Sequence, residues 1–236
     1  YRPEIWRYAA GLALPLIPHF LATVLLTNTD RIMIGRICGQ EKVAIYAVAA
    51  NLGTIMQIIV NSTNAAVNPW IYRTMERRNH GALRKGTNLL YGMMALLTMA
   101  PTLLGTLYIR WFMKASYQAA IPMIGIIAAS SFFIYLYTIF FVMELYYEKT
   151  VYSSIASVAA AALNVALNYI GISLFGYVAA AYTTLICYVF LSAAHYLFLR
   201  KTCAAKGTPV SELVNLKLVL GLGIAVIAIA IATSRL

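Results

Sequence analysis

Residues 120–143 read AIPMIGIIAASSFFIYLYTIFFVM, a run that no charged side chain interrupts. A helix of about 20 mostly apolar residues crosses roughly 30 Å of hydrocarbon, so this stretch is long enough to span a membrane. Six more stretches share its character: Trp6–Asn28, Val43–Asn68, Asn88–Ile109, Tyr152–Ile172, Tyr177–Leu199 and Val214–Thr233. Their apolar residues are continuous rather than alternating, which excludes the strands of a membrane barrel. Backbone groups in lipid must then pair within each segment, and that leaves helices. The expectation is an all-α polytopic bundle of about seven transmembrane helices.

Composition points the same way. Of 236 residues, 62% are hydrophobic and 11% charged, with a mean hydropathy of +0.78. A soluble domain is about half apolar and roughly a quarter charged, so lipid must solvate most of this surface. The net charge of +11 would suggest nucleic acid in a soluble protein. Here the charges sit between the apolar runs, where they set topology, and no nucleic-acid partner is expected. With a cytoplasmic N-terminus, twelve Lys and Arg fall inside and six outside, which favours that orientation of a multi-pass protein. The stretch with Arg73, Arg77, Arg78, Arg84 and Lys85 contributes most. It is either a topology signal alone or also an attractor of anionic lipid and pyrophosphate head groups.

Chemistry is sparse. Cys38, Cys187 and Cys203 are scattered, forming neither a disulfide framework nor a metal site. No HExxH pair, GxSxG elbow, P-loop or paired-carboxylate motif occurs. The chain is expected to be no enzyme, with no catalytic residues, cofactor or metal. The loops are too short for an extramembrane domain, so function falls to the spans. The chain starts at Tyr1 without Met and stops just past an apolar run, which suggests a piece of a longer protein. No cleavage site follows the first run, so it should persist as a span.

Polar side chains at membrane depth face a bundle interior or a wet cavity. In the second span Thr54, Gln57, Asn61, Asn64 and Asn68 are spaced by 3, 4, 3 and 4, which keeps them on one helical face. Such amides are either glue between helices or the wall of a hydrophilic cavity, where each offers donors and an acceptor to a hydroxyl-rich cargo. The fifth span repeats the pattern more weakly through Ser153, Ser157, Asn164 and Asn168, among alanines that favour close packing. In the first span Pro15 and Pro18 predict a kink or local opening. His19 follows the kink, either as a titrating group or as a neutral ring donating to a freed backbone carbonyl. Asp30-Arg31 is either a local ion pair at the interface or part of a gate or coupling-ion site. Glu144 closes the fourth span among Tyr135, Tyr137, Tyr146 and Tyr147, which suggests an interfacial aromatic belt. A proton site at Glu144 is the other reading.

Recognition adds to this. Leu14-Pro15-Leu16-Ile17-Pro18-His19 leads to Thr29-Asp30-Arg31-Ile32-Met33-Ile34, then Val43-Ala44-Ile45-Tyr46-Ala47-Val48-Ala49. Asn68-Pro69-Trp70-Ile71-Tyr72 ends the second span. This resembles the opening of the second half of a bacterial polysaccharide transporter, the O-antigen-type lipid-linked oligosaccharide flippase branch of the MOP exporter superfamily. Leu163-Asn164-Val165-Ala166-Leu167-Asn168-Tyr169, followed by Gly176-Tyr177-Val178-Ala179-Ala180-Ala181 and Thr183-Thr184, is similar to a later pair of spans in that family. The family has Gly where Val178 or Ala179 stands, a mild departure. The motifs are degenerate, and their order carries more weight than any one of them.

The resemblance implies one six-helix lobe of a MATE-like transporter at 1–200, a cytoplasmic linker at 201–213 and an accessory helix at 214–236. It implies movement of undecaprenyl-pyrophosphate-linked repeat units across the bacterial cytoplasmic membrane for surface polysaccharide synthesis. Gln57, Asn61, Asn64, Asn68, Asn164 and Asn168 would line the substrate cavity. His19, Asp30, Arg31 and Glu144 would couple or gate, and Arg73, Arg77 and Arg78 would attract the head group. Partners would be the lipid-linked oligosaccharide, membrane lipids, a missing N-terminal lobe and the polysaccharide polymerase machinery. The rivals are a cation-coupled multidrug exporter, a lipid II flippase and, from another class, a non-transporting scaffold of polysaccharide synthesis.

Overall fold

A computed structural model describes residues 2–235. Seven helical segments are long and apolar enough to cross a membrane, and each overlaps one of the seven runs found in the sequence. The protein is an all-α, multi-pass membrane bundle.

The first span breaks where proline predicts it. Helix α1 (Pro3–Ala13) ends in a 3-10 turn, Leu14–Leu16, before α2 (Ile17–Ile37) resumes. Pro15 and Pro18 withhold two backbone donors there, and the carbonyl of Pro15 accepts a hydrogen bond from the Ser154 hydroxyl. Helix α3 (Gln40–Glu76) follows a turn at Gly39, whose φ of +89° needs a glycine. The third span is α4 (His80–Leu97) and α5 (Met99–Phe112), with Asn79 capping the Ala82 N–H at 3.1 Å. Then come α6 (Ile121–Tyr146), α7 (Thr150–Phe175) and α8 (Ala179–Ala205), and after a short helix α9 (Val210–Leu213) the last span α10 (Leu216–Ser234).

Helix α6 holds the centre. Its residues are apolar all round, which suits a helix enclosed by others, and it is buried against α3, α5, α8 and α10. Helix α2 packs on α7 and α7 on α8. Ala156, Ala160 and Ala161 lie buried on α7, and such small side chains let helices approach closely. Phe20, Leu21, Val24 and Leu25 of α2 are exposed, as lipid contact requires. The linker expected at 201–213 starts later, because α8 continues to Ala205 with Thr202 and Cys203 buried.

The connections at 77–79, 147–149 and 206–215 share the end of the bundle that carries the N-terminus. We call it the N-terminal face.

Helix α10 reaches α6 at Gly125, where a Cβ would meet Thr233 Oγ1 at 2.6 Å and the Ala230 backbone at 3.3 Å. Gly125→Val is expected to push α10 from α6 and cost about 1–3 kcal/mol. A lowered thermal midpoint of the purified protein in detergent would register it, and an unchanged midpoint would contradict this packing.

Candidate functional site

A cavity of about 310 Å³ opens between α2, α3, α6 and α8, in the half of the bundle away from the N-terminal face. Thr54 and Gln57 of α3 line it together with Asn28, Asp30 and Arg31 of α2. The stripe then continues along α3 over about 16 Å at 1.5 Å per residue. Gln57 Nε2 donates to Asn61 Oδ1 at 3.0 Å, and Asn61 is exposed. Asn64 Nδ2 donates to Thr138 Oγ1 of α6 at 3.0 Å. The side-chain oxygens of Asn64 and Asn68 are buried without a partner. The stripe thus combines helix–helix contact at Asn64 with open amide surface at Gln57 and Asn61.

Asp30 sits at the back of this cavity and is 4% exposed. Tyr46 of α3 donates to its Oδ2 at 2.6 Å and Thr184 of α8 to the same oxygen at 2.7 Å. Asn168 of α7 donates to Oδ1 at 2.6 Å and also to Asn164 Oδ1 at 3.2 Å, while the Thr183 hydroxyl bonds the Asn168 oxygen. Asn164 and Asn168 are fully buried. They stand behind Asp30 rather than in the cavity wall expected of them. The local Asp30–Arg31 ion pair also gives way: Arg31 reaches Asn51 Oδ1 at 3.5 Å. Among the described residues no Lys, Arg or His nitrogen lies within 4 Å of Asp30.

A second buried cluster lies toward the N-terminal face, about 16 Å along α2 from Asp30. His19 Nδ1 meets Ser157 Oγ at 2.6 Å and its ring stacks on Phe141 at 4.4 Å. His19 also meets the Ser153 backbone of α7. Glu144 is fully buried, with Ser153 donating to its Oε2 at 2.6 Å and His195 Nδ1 at 3.0 Å from the same oxygen. Glu144 Oε1 and His195 Nε2 have no partner. Tyr135 and Tyr137 are buried inside the bundle, so they form no interfacial belt; Tyr137 stacks on His195 at 5.6 Å. Arg73, Arg77 and Arg78 lie exposed at the N-terminal face. Among the described residues no group of His, Cys, Asp and Glu is arranged to hold a metal ion.

Sequence reasoning gave no role to His195, Tyr46 or Thr184. Tyr46 and Thr184 stood inside quoted motifs, and His195 was one histidine in an apolar span.

Comparison with known proteins defines the class first. Over 94% of its length the chain superposes on an outward-facing multidrug resistance MATE family transporter of the MOP superfamily, with TM-score 0.61 and 19% identity. Over 96% it superposes on a MOP superfamily transporter from Pyrococcus furiosus whose binding pocket is described as reversed in polarity, with TM-score 0.61 and 20% identity. The chain covers 53% of each of those proteins. Its fold is that of a MOP-type transporter lobe. More narrowly, residues 6–75 match the family model "Polysaccharide biosynthesis protein". A 71-residue stretch is 30% identical to Lsg locus putative protein 1 of Haemophilus influenzae, which is 30% of this chain and 18% of that relative. The resemblance to MOP-type polysaccharide transporters drawn from the sequence is borne out.

Asn168→Leu leaves Asp30 Oδ1 and the Thr183 hydroxyl without their shared partner. The expected cost is about 1–3 kcal/mol, measured as a lower thermal midpoint in detergent. A variant as stable as the parent would mean that the Asp30 network contributes little to holding α2, α7 and α8 together.

Proposed function

We propose that this chain is one lobe of a transporter that moves undecaprenyl-pyrophosphate-linked oligosaccharides to the outer leaflet of the bacterial cytoplasmic membrane. The observation that carries the reading is the run of neutral amides leading from the cavity along α3. Gln57 and Asn61 can exchange their mutual bond for bonds to sugar hydroxyls. The prenyl tail can stay in lipid while the head group uses this wet path. With the N-terminus cytoplasmic, exposed Arg73, Arg77 and Arg78 would meet the pyrophosphate before entry.

In this reading a second, N-terminal lobe completes the cavity, and alternating access rocks one lobe against the other. Asp30 is the coupling-ion candidate, because it joins three helices and borders the cavity. Arg31 at the cavity rim is the gate candidate. The polymerase machinery would receive the product. A multidrug exporter shares the fold, but recognition of organic cations favours aromatic and acidic surface. Here the two buried carboxylates, Asp30 and Glu144, are already engaged by protein donors.

Single cysteines at Asn61 and Asn64, placed in the full-length protein without native cysteines, test the reading. An impermeant thiol reagent is applied from each side, with Leu52 and Ile59 as controls. Labelling at the Asn positions alone, blocked by lipid-linked oligosaccharide, is the expected result. Asn positions as silent as the controls would make the stripe structural, as the scaffold reading requires.

A further inference from the structure

The buried cluster near the N-terminal face is not needed to line a sugar path, and its chemistry is different. Glu144 and His195 are both fully buried, and one oxygen of the carboxylate faces one nitrogen of the ring at 3.0 Å. The other oxygen and the other nitrogen have no partner. A lone charge in such a place is costly unless a partner neutralises it. The pair is neutral when it holds one proton beyond carboxylate and neutral imidazole, whichever residue carries it. It bears charge −1 when that proton leaves for water.

The surroundings make this proton consequential. His19 lies on the far side of the proline break, with its ring centroid 6.2 Å from that of His195, so two imidazolium rings would repel. Helix α7 offers one serine to each member of the assembly: Ser153 to Glu144, Ser154 to the Pro15 carbonyl and Ser157 to His19. The other titratable groups nearby are Tyr137 of α6, stacked on His195, and, toward the surface, Tyr8 of α1 bonded to Glu148, with Lys149 exposed. No Lys or Arg nitrogen lies within 4 Å of Glu144 among the described residues.

We propose that Glu144, His195 and His19 form an intramembrane proton-binding site whose occupancy decides whether the broken helix α1–α2 stays docked on α7. A proton from water neutralises the Glu144–His195 pair and the dry, docked arrangement holds. Release of that proton leaves a charge that only water can stabilise, and water enters by separating α1–α2 from the α7 serines. No covalent bond changes. The inference rests on the transport reading only in naming what the motion serves; the site itself stands without cargo.

The test uses full-length protein in liposomes, without cargo, carrying spin labels at Trp6 of α1 and Ile155 of α7. The label separation is expected to change in a single-proton transition as pH is raised. Glu144→Gln should hold the docked separation at every pH, and His195→Gln, which leaves a single titrating carboxyl at the site, should displace the transition. Glu41→Gln, at an exposed carboxylate of α3, should keep it. A parent protein without a transition, a transition that survives Glu144→Gln, or one that His195→Gln leaves unmoved overturns the proposal. So does loss in Glu41→Gln alone. Should Glu144→Gln fail to insert, Ser153→Ala keeps every titrating group while removing a partner of Glu144. A displaced midpoint supports the site and an unmoved one overturns it. Intact pH response with silent Asn positions would count against the sugar path and leave the proton site standing.

Discussion

Water is absent from the hydrocarbon core, so a carboxylate placed there must find its hydrogen-bond donors on neighbouring helices. Asp30 finds them on three, Tyr46 of α3, Asn168 of α7 and Thr184 of α8. Much of the lobe's geometry follows from that demand. Helix α2 must lie against α7 and α8 closely enough for a bond of 2.6 Å, and α3 must return past it with Tyr46 at the same depth. The second cluster repeats the demand at the other end of α2, through His19 and Ser157. Between these two points α2 is pinned on one side, while its opposite side carries Phe20, Val24 and Leu25 to lipid.

The central helix works by another rule. Helix α6 is largely apolar, so its position is set mainly by packing, and few polar side-chain bonds tie it to its neighbours. Asn64 touches it at Thr138 and Glu144 closes it. Packing in lipid has no hydrophobic drive between helices, which makes close fit decisive. Gly125 against the Ala230 backbone and Gly223 against Phe133 at 3.3 Å are where α10 gains that fit. A side chain added at either point works against the same interface.

How much of this was legible in the sequence depended on range. The seven spans needed only local hydropathy, and the break at Leu14–Leu16 needed only Pro15 and Pro18. The one-face spacing of Gln57, Asn61, Asn64 and Asn68 was legible for the same reason, since helical period is a local property. What each polar group binds was not. Asn164 and Asn168 share the spacing of the α3 amides, yet they stand behind Asp30, 138 residues away from Asn168 in sequence. His195 gave no local sign of its role, because its partner Glu144 lies 51 residues earlier on another helix. The pairing of Asp30 with Arg31 failed for the opposite reason. Adjacent residues on a helix point about 100° apart, and the deeper direction belonged to Asp30 alone.

Stability alone does not account for these buried carboxylates. Replacing a buried charged network by well-packed apolar side chains is often neutral or stabilising, whereas leaving one polar member unpaired is costly. Glu144 Oε1, His195 Nε2 and Asn164 Nδ2 are such unpaired members. A lobe that had only to pack would be better served by leucine at these places. The open bonding positions are instead what an arrangement with more than one state requires, since a network satisfied in full would resist rearrangement. One of them, Asn164 Nδ2, falls on α7, which together with α2 joins the two clusters: α2 runs from His19 to Asp30, and α7 from Ser153 to Asn168. Any motion of the α1–α2 break against α7 therefore acts on the helix pair that holds Asp30, and through Tyr46 on the α3 helix that carries the amide stripe. In the proposed transporter, that continuity gives a proton near one face a mechanical route to a sugar path in the other half of the lobe.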